Sequence, residues 1–236
     1  MVAIFFAGLV AGTVHVITGP DHLAAVAPLA LSQRQKSWLL GARWGGGHAS
    51  GVILVAILAW AFREIFPVEM FSNWCERLVG VMLIGIGLWG LRKMFRFELH
   101  AHEHSHQHSQ HSHNHSHDHL HEDGPHWHVH AHRTGHHQDP SHAHSHAAVA
   151  VGVLHGLAGG SHFLGVLPAL AMPTRWAAAV YLLAFGIGTI ITMAGYSFAF
   201  GSIGSRTQNS GIKFYKYALA TCSWAAIVVG GYWLVF

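Results

Sequence analysis

Six long apolar stretches, set apart by short polar breaks and one long polar interruption, dominate the pattern of this chain. They cover residues 2–31, 37–62, 74–95, 147–172, 176–202 and 212–236. Each is near or above the ~20 residues that an α-helix needs to cross a ~30 Å hydrocarbon layer. The pattern therefore predicts an all-α membrane protein with six transmembrane helices. As one continuous helix the first stretch would be about 45 Å long, so it must tilt, break or lie partly in the interface. The expected break is Gly19-Pro20, because proline removes a helical hydrogen bond and its ring collides with the preceding turn.

The long polar interruption, residues 97–146, divides the chain into a first three-helix unit (1–96) and a second (147–236). It holds 20 of the 25 histidines, many alternating with Ser, Asn, Asp or Glu. Such a composition cannot build a core, and neutral imidazoles at this density bind transition metals. A disordered, His-rich, metal-binding loop is expected. Its binding would not make it necessary for function.

The two units repeat each other. Residues 11–31 read AGTVHVITGPDHLAAVAPLAL and residues 151–171 read VGVLHGLAGGSHFLGVLPALA. At a constant offset of 140, Gly12, His15, Gly19, His22, Val26 and Pro28 match Gly152, His155, Gly159, His162, Val166 and Pro168. Trp44-Gly45-Gly46-Gly47-His48 is echoed by Phe185-Gly186-Ile187-Gly188-Thr189, and Gly87-Leu88-Trp89 by Gly231-Tyr232-Trp233. With three spans per unit the second copy enters the membrane from the opposite side. The expectation is an inverted 3+3 repeat with broken first and fourth helices, a plan that puts a substrate site near the bilayer midplane.

Composition supports the membrane class. Hydrophobic residues make up 51% of the chain and charged residues 10%, against about 25% charged in a typical soluble domain. The sequence pI of about 9.1 does not point to nucleic acid, because the 13 Lys and Arg residues are dispersed. Nine of them fall in the loops after the first, third and fifth stretches. Three, Arg63, Arg77 and Arg175, fall on the other side. The positive-inside rule then puts the His-rich loop in the cytoplasm and both termini outside, as expected of a multi-pass protein of a bacterial inner membrane. The N-terminus lacks the basic region of a signal peptide. Cys75 and Cys222 are too few for a disulfide framework.

The candidate chemistry lies in the apolar stretches. His15 and His22 are seven apart, nearly two helical turns, and so share one face of a helix; His155 and His162 repeat that spacing. Asp21 is the one acidic residue well inside a predicted span, where a carboxylate costs on the order of 3 kcal/mol and is functional by default. Pairing with Arg43 is its structural alternative. His48 follows three glycines that permit close helix approach. Imidazoles with one carboxylate suit Ni²⁺, Co²⁺ or Zn²⁺, whereas Mg²⁺ and Ca²⁺ prefer all-oxygen shells. His15, Asp21, His22, His48, His155 and His162 are the candidate ligands. Thr18, Ser50, Ser161, Thr189 and Thr192 read as helix-packing or capping groups. His102-Glu103-His104-Ser105-His106 spells a metalloprotease string, but that chemistry needs an ordered helix. No P-loop is visible, and neither an enzymatic activity nor a resident cofactor is expected.

His15-Val16-Ile17-Thr18-Gly19-Pro20-Asp21-His22 resembles the H-P-x-x-G-x-D-H signature of the HupE/UreJ nickel permeases, with Val16 in place of proline. It is also similar to the H-x4-D-H signature of the nickel/cobalt transporter (NiCoT) family, with one extra residue before Asp21. The glycine-histidine run ending at His48 looks like the second motif of those transporters. The chain further resembles a nickel-transporter-like group of cyanobacteria and plastids. The resemblance implies that His15, Asp21, His22 and His48 form an ion-recognition region. A secondary transporter moving Ni²⁺ or Co²⁺ is the expected function, with divalent transition-metal ions and the lipid bilayer as partners. A cytoplasmic metal tract suits uptake and efflux alike. A membrane-anchored metal sensor or buffering chaperone is the alternative, and a histidine-box membrane metalloenzyme a more remote one.

Overall fold

Proline chemistry sets the first structural event. In the computed structural model, α1 (Val2–Thr18) stops at Gly19 and α2 (Pro20–Leu31) begins at the next residue. A residue before proline is driven out of the helical region, and proline itself suits the first helical position. Gly19 accordingly takes extended angles, φ −88° and ψ 104°. Its N–H still donates to the His15 carbonyl, and its own carbonyl accepts from the His22 N–H, both at 3.2 Å. The chain bends by 72° between the two helices.

The structure describes residues 1–33, 36–61, 68–95, 100–103, 127–130, 141–158 and 163–235. After α2 come α3 (Ser37–Ala61), α4 (Val68–Phe95), strands β1 (His100–Glu103) and β2 (Trp127–His130), α5 (Ser141–Leu157), α6 (Phe163–Leu170), α7 (Arg175–Ser210) and α8 (Ile212–Val235). The chain forms two compact units, Met1–Met94 with Asp139–Phe236, and Phe95–Gln138. In the second, β1 and β2 pair antiparallel with His100 opposite His130 and His102 opposite His128. Of the rest of the stretch 97–146, residues 141–146 open α5 and the others lie outside the described residues.

Small residues let the helices of the first unit meet backbone to backbone. A β-carbon at Gly8 or Gly12 of α1 would run into the carbonyl oxygens of Tyr181 or Phe185 of α7. On α3, Gly41 faces the Met193 carbonyl of α7, while Gly47 and Gly51 face the Val149 and Val153 carbonyls of α5. In return, Gly152 and Gly156 of α5 face the carbonyls of Trp44 and His48. Gly8/Gly12, Gly47/Gly51 and Gly152/Gly156 are three small-xxx-small pairs, the spacing that lets membrane helices pack closely. They hold α3 between α5 and α7. The outside is greasy: Val10, Trp60, Leu183, Ile191 and Val228 are all more than half exposed, as lipid-facing residues should be. Gly152→Leu should wedge α3 from α5 and cost about 1–3 kcal/mol in overpacking. A lower melting temperature in detergent checks it, with Gly46→Leu, where a side chain meets open space, as the control.

The six-helix inverted 3+3 architecture is corrected by the structure. Among the described residues four helices are long and apolar enough to cross a membrane: Ser37–Ala61, Asn73–Phe95, Arg175–Thr207 and Ile212–Val235. The bent pair Val2–Thr18 and Pro20–Leu31 raises the number to five at most. The stretch 147–172 is not one span, because its apolar helical part, Ala147–Leu157, would reach only about 16 Å at 1.5 Å per residue. α6 has only 8 residues. Hydropathy counts apolar residues but not where a helix stops, which is why 147–172 looked like a span. The break in the first stretch is where proline put it; the expected break at Gly159-Gly160 lies outside the described residues. The protein is an integral, multi-pass membrane protein, but sidedness argued from six crossings no longer follows from the count.

Candidate metal centre

Four helices deliver the polar side chains to one place. α1 supplies His15 from its last turn and α2 supplies Asp21 and His22 from its first. α3 brings His48 and α5 brings His155 in its last turn. The 72° bend makes this convergence possible, because it turns the start of α2 beside the end of α1. Asp21, His22, His48 and His155 are at most 2% exposed; His15 is half-buried.

Asp21 is the hinge of the arrangement. Its Oδ1 lies 3.0 Å from His22 Nδ1 and its Oδ2 lies 2.8 Å from His155 Nε2. Position in the first turn of α2 adds the favourable end of a helix dipole. These partners, and not Arg43, hold the buried carboxylate. On the other side of His22, His15 Nε2 and His48 Nε2 are 3.2 Å apart. Ring centroids separate His15 from His22 by 4.7 Å and His22 from His48 by 5.0 Å. Potential ligand atoms thus form two overlapping triads, His15/His22/His48 and Asp21/His22/His155, each with atoms within 4.8 Å of one another. Two ligands about 2.1 Å from one ion stand about 3.0 Å apart in octahedral and about 3.4 Å apart in tetrahedral geometry. The His15–His48 spacing falls between those values.

Aromatic rings wall the cluster. Trp44 stacks on His48 with centroids 5.3 Å apart and planes 7° from parallel. It also touches the His155 ring at 5.0 Å and the His22 ring at 5.6 Å. Phe185 of α7 lies 5.4 Å from His15. Trp44 stood in the glycine-histidine motif with no role assigned to it; its i, i+4 spacing from His48 puts both on one helix face and was the available signal.

Of the six candidate ligands, the structure brings five together: His15, Asp21, His22, His48 and His155. His162 and Ser161 lie outside the described residues. The hydroxyls of Thr18, Ser50, Thr189 and Thr192 donate to carbonyls of their own helices, those of Val14, Gly47, Phe185 and Gly188. They are helix-satisfying groups here.

The chain is 30% identical over 197 residues to the chloroplast protein FOR GROWTH AND FERTILITY 1 of Arabidopsis thaliana, covering 83% of this chain and 48% of that protein. Chloroplast protein FOR GROWTH AND FERTILITY 2 of the same plant is 31% identical over 196 residues, 83% and 46% of the respective lengths. The chain therefore spans about half the length of these two relatives. Urease accessory protein UreH of Bacillus sp. (strain TB-90) is 26% identical over 204 residues, 85% of this chain and 77% of that one. This similarity supports the motif-based likeness to the nickel-related HupE/UreJ proteins at a distant, superfamily level. No solved structure matches the chain. One family description matches residues 3–230, a stretch that takes in every helix of the cluster, and by that match the chain belongs to the cytochrome c biogenesis protein transmembrane region family.

Proposed function

We propose that this chain is a secondary transporter for Ni²⁺ or Co²⁺, with Zn²⁺ as a further candidate ion, and that the cluster around Asp21 is its recognition site. The observation that carries the reading is the burial of three imidazoles and one carboxylate, with the half-buried His15 beside them, at a broken membrane helix. Polar groups of this kind are expensive in hydrocarbon and mark ion pathways. Broken helices are where transporters build their sites. Imidazole nitrogen favours borderline transition ions over Mg²⁺ and Ca²⁺. The nickel-related likeness and the printed name of the Bacillus relative, a urease accessory protein, agree with it. The family description speaks of cytochrome c biogenesis, but the two cysteines belong to α4 and α8, which give nothing to the cluster. The buried chemistry is imidazole and carboxylate.

The test is flux of Ni²⁺, Co²⁺, Zn²⁺ and Mn²⁺ through purified protein in liposomes, with and without a pH gradient. Saturable Ni²⁺ or Co²⁺ flux supports the transporter. Tight binding without flux would point to the anchored sensor or buffering chaperone instead.

A separate expectation concerns residues 97–146. Replacing them by a flexible linker of equal reach should remove most of the high-capacity metal binding, since 20 of the 25 histidines go with them. Measurable flux should remain, because the path is built from helices. Complete loss of flux in a folded protein would make the loop part of the machinery.

A further inference from the structure

We infer that the five side chains divide their labour: His15, His22 and His48 hold the ion through nitrogen, while Asp21 and His155 are positioning residues outside its coordination shell. This rests on the metal reading of the cluster and goes beyond it by naming which triad takes the ion.

What a carboxylate can do sets the roles of its neighbours. Ionised, it only accepts hydrogen bonds. The two nitrogens that face Asp21, His22 Nδ1 at 3.0 Å and His155 Nε2 at 2.8 Å, must therefore be the protonated, donating ones. A ring nitrogen that carries a hydrogen has no lone pair for a metal. His22 is thereby fixed in the tautomer that leaves its lone pair on Nε2, on the opposite edge of the ring. The Asp21/His22/His155 triad is a hydrogen-bonded unit. Donation from the second ring nitrogen to a carboxylate is the usual support of a metal-bound histidine, orienting the ring and raising its basicity.

The other triad has the complementary properties. His15 Nε2 and His48 Nε2 stand 3.2 Å apart, within the range of two ligands on one ion. His48 is held by Trp44, stacked on its ring at 5.3 Å, and His22 by Asp21. His15 is the half-buried member, so an approaching ion meets this triad before the fully buried Asp21–His155 pair. His155 in turn keeps Asp21 aligned from α5, a helix that packs against α3 through glycine-lined contacts. Three imidazoles with no carboxylate in the shell would discriminate against oxygen-seeking ions.

X-ray absorption at the nickel edge counts the imidazoles on a bound ion and separates these roles. The sample is the full-length protein with the 20 loop histidines changed to asparagine and one equivalent of Ni²⁺ added. Three imidazoles are expected. His155→Asn and Asp21→Asn should keep three while weakening binding about 10- to 100-fold, the usual cost of losing such support. His48→Gln should leave two. Four imidazoles in the parent protein, or a count that falls in His155→Asn, would overturn the division of labour while leaving the metal reading intact. A parent protein that binds no Ni²⁺ would overturn both. The parent spectrum alone decides between three and four, even if a buried variant fails to fold.

Discussion

His22→Ala should reduce Ni²⁺ and Co²⁺ flux to that of protein-free liposomes while leaving the protein in the membrane at near-normal abundance. His22 is the one residue common to both potential ligand triads, so its loss removes a nitrogen from the ion and a donor from Asp21 together. Alanine also leaves a hole at the centre of the cluster, where the rings of His15, His48, His155 and Trp44 all come within 5.6 Å of the His22 ring. The fold should survive, because the helices are joined through glycine faces that His22 does not share. Losing one large buried side chain costs about 2–5 kcal/mol. Flux in proteoliposomes and protein content in membranes are the two measurements. Wild-type flux in a protein that lacks this ring would remove the cluster from the pathway.

Gly19→Ala should have the second-largest effect, although the change is one methyl group. The backbone at Gly19 is ordinary extended chain, so alanine meets no conformational objection. The objection is space. A β-carbon there would collide with His22 Nδ1 and lie 2.7 Å from Asp21 Oδ1, crowding both ends of the hydrogen bond that joins them. Either the carboxylate or the imidazole must move, and the His22 ring loses its orientation. Loss of such support costs about 10- to 100-fold in metal affinity, and a comparable fall in flux at low ion concentration is expected. Thr18→Ala is the control. Its hydroxyl bonds only to carbonyls one turn back, at 2.9 and 3.3 Å, so flux should stay near wild type. Equal damage from both substitutions would mean that the bend itself is fragile and that Gly19 has no special part in the site.

Much of the site was written in local sequence terms, and much of the fold was not. The break after Gly19 follows from Pro20 alone, since proline constrains its own residue and the one before. The seven-residue spacing singled out His15 and His22 as a pair, although the bend between α1 and α2, and not a shared helix face, brings them together; the expense of Asp21 in hydrocarbon made it suspect. The match between residues 11–31 and 151–171 singled out His155, whose partner turned out to be Asp21. Four of the long helices lie within a residue or two of the apolar stretches at their beginnings, at Ser37, Asn73, Arg175 and Ile212.

Direction and neighbourhood were harder. An apolar run does not say whether its helix continues straight, so the 72° turn into α2 and the end of α5 at Leu157 were invisible to a count of apolar residues. The repeat consequently promised a symmetry that the helices do not provide. Which glycine faces which helix depends on tertiary packing: Gly41 and Gly47, six apart on α3, address α7 and α5 respectively. Trp44 was legible in position but not in purpose: its i, i+4 spacing from His48 puts both rings on one face without saying what that face meets.

The most direct measurement is anomalous X-ray scattering at the nickel edge from crystals of the full-length protein grown with Ni²⁺. A peak among the rings of His15, His22 and His48, about 2.1 Å from a nitrogen of each, is the predicted result. Anomalous density confined to residues 97–146, with none among the buried histidines of α1, α2 and α3, would contradict the account.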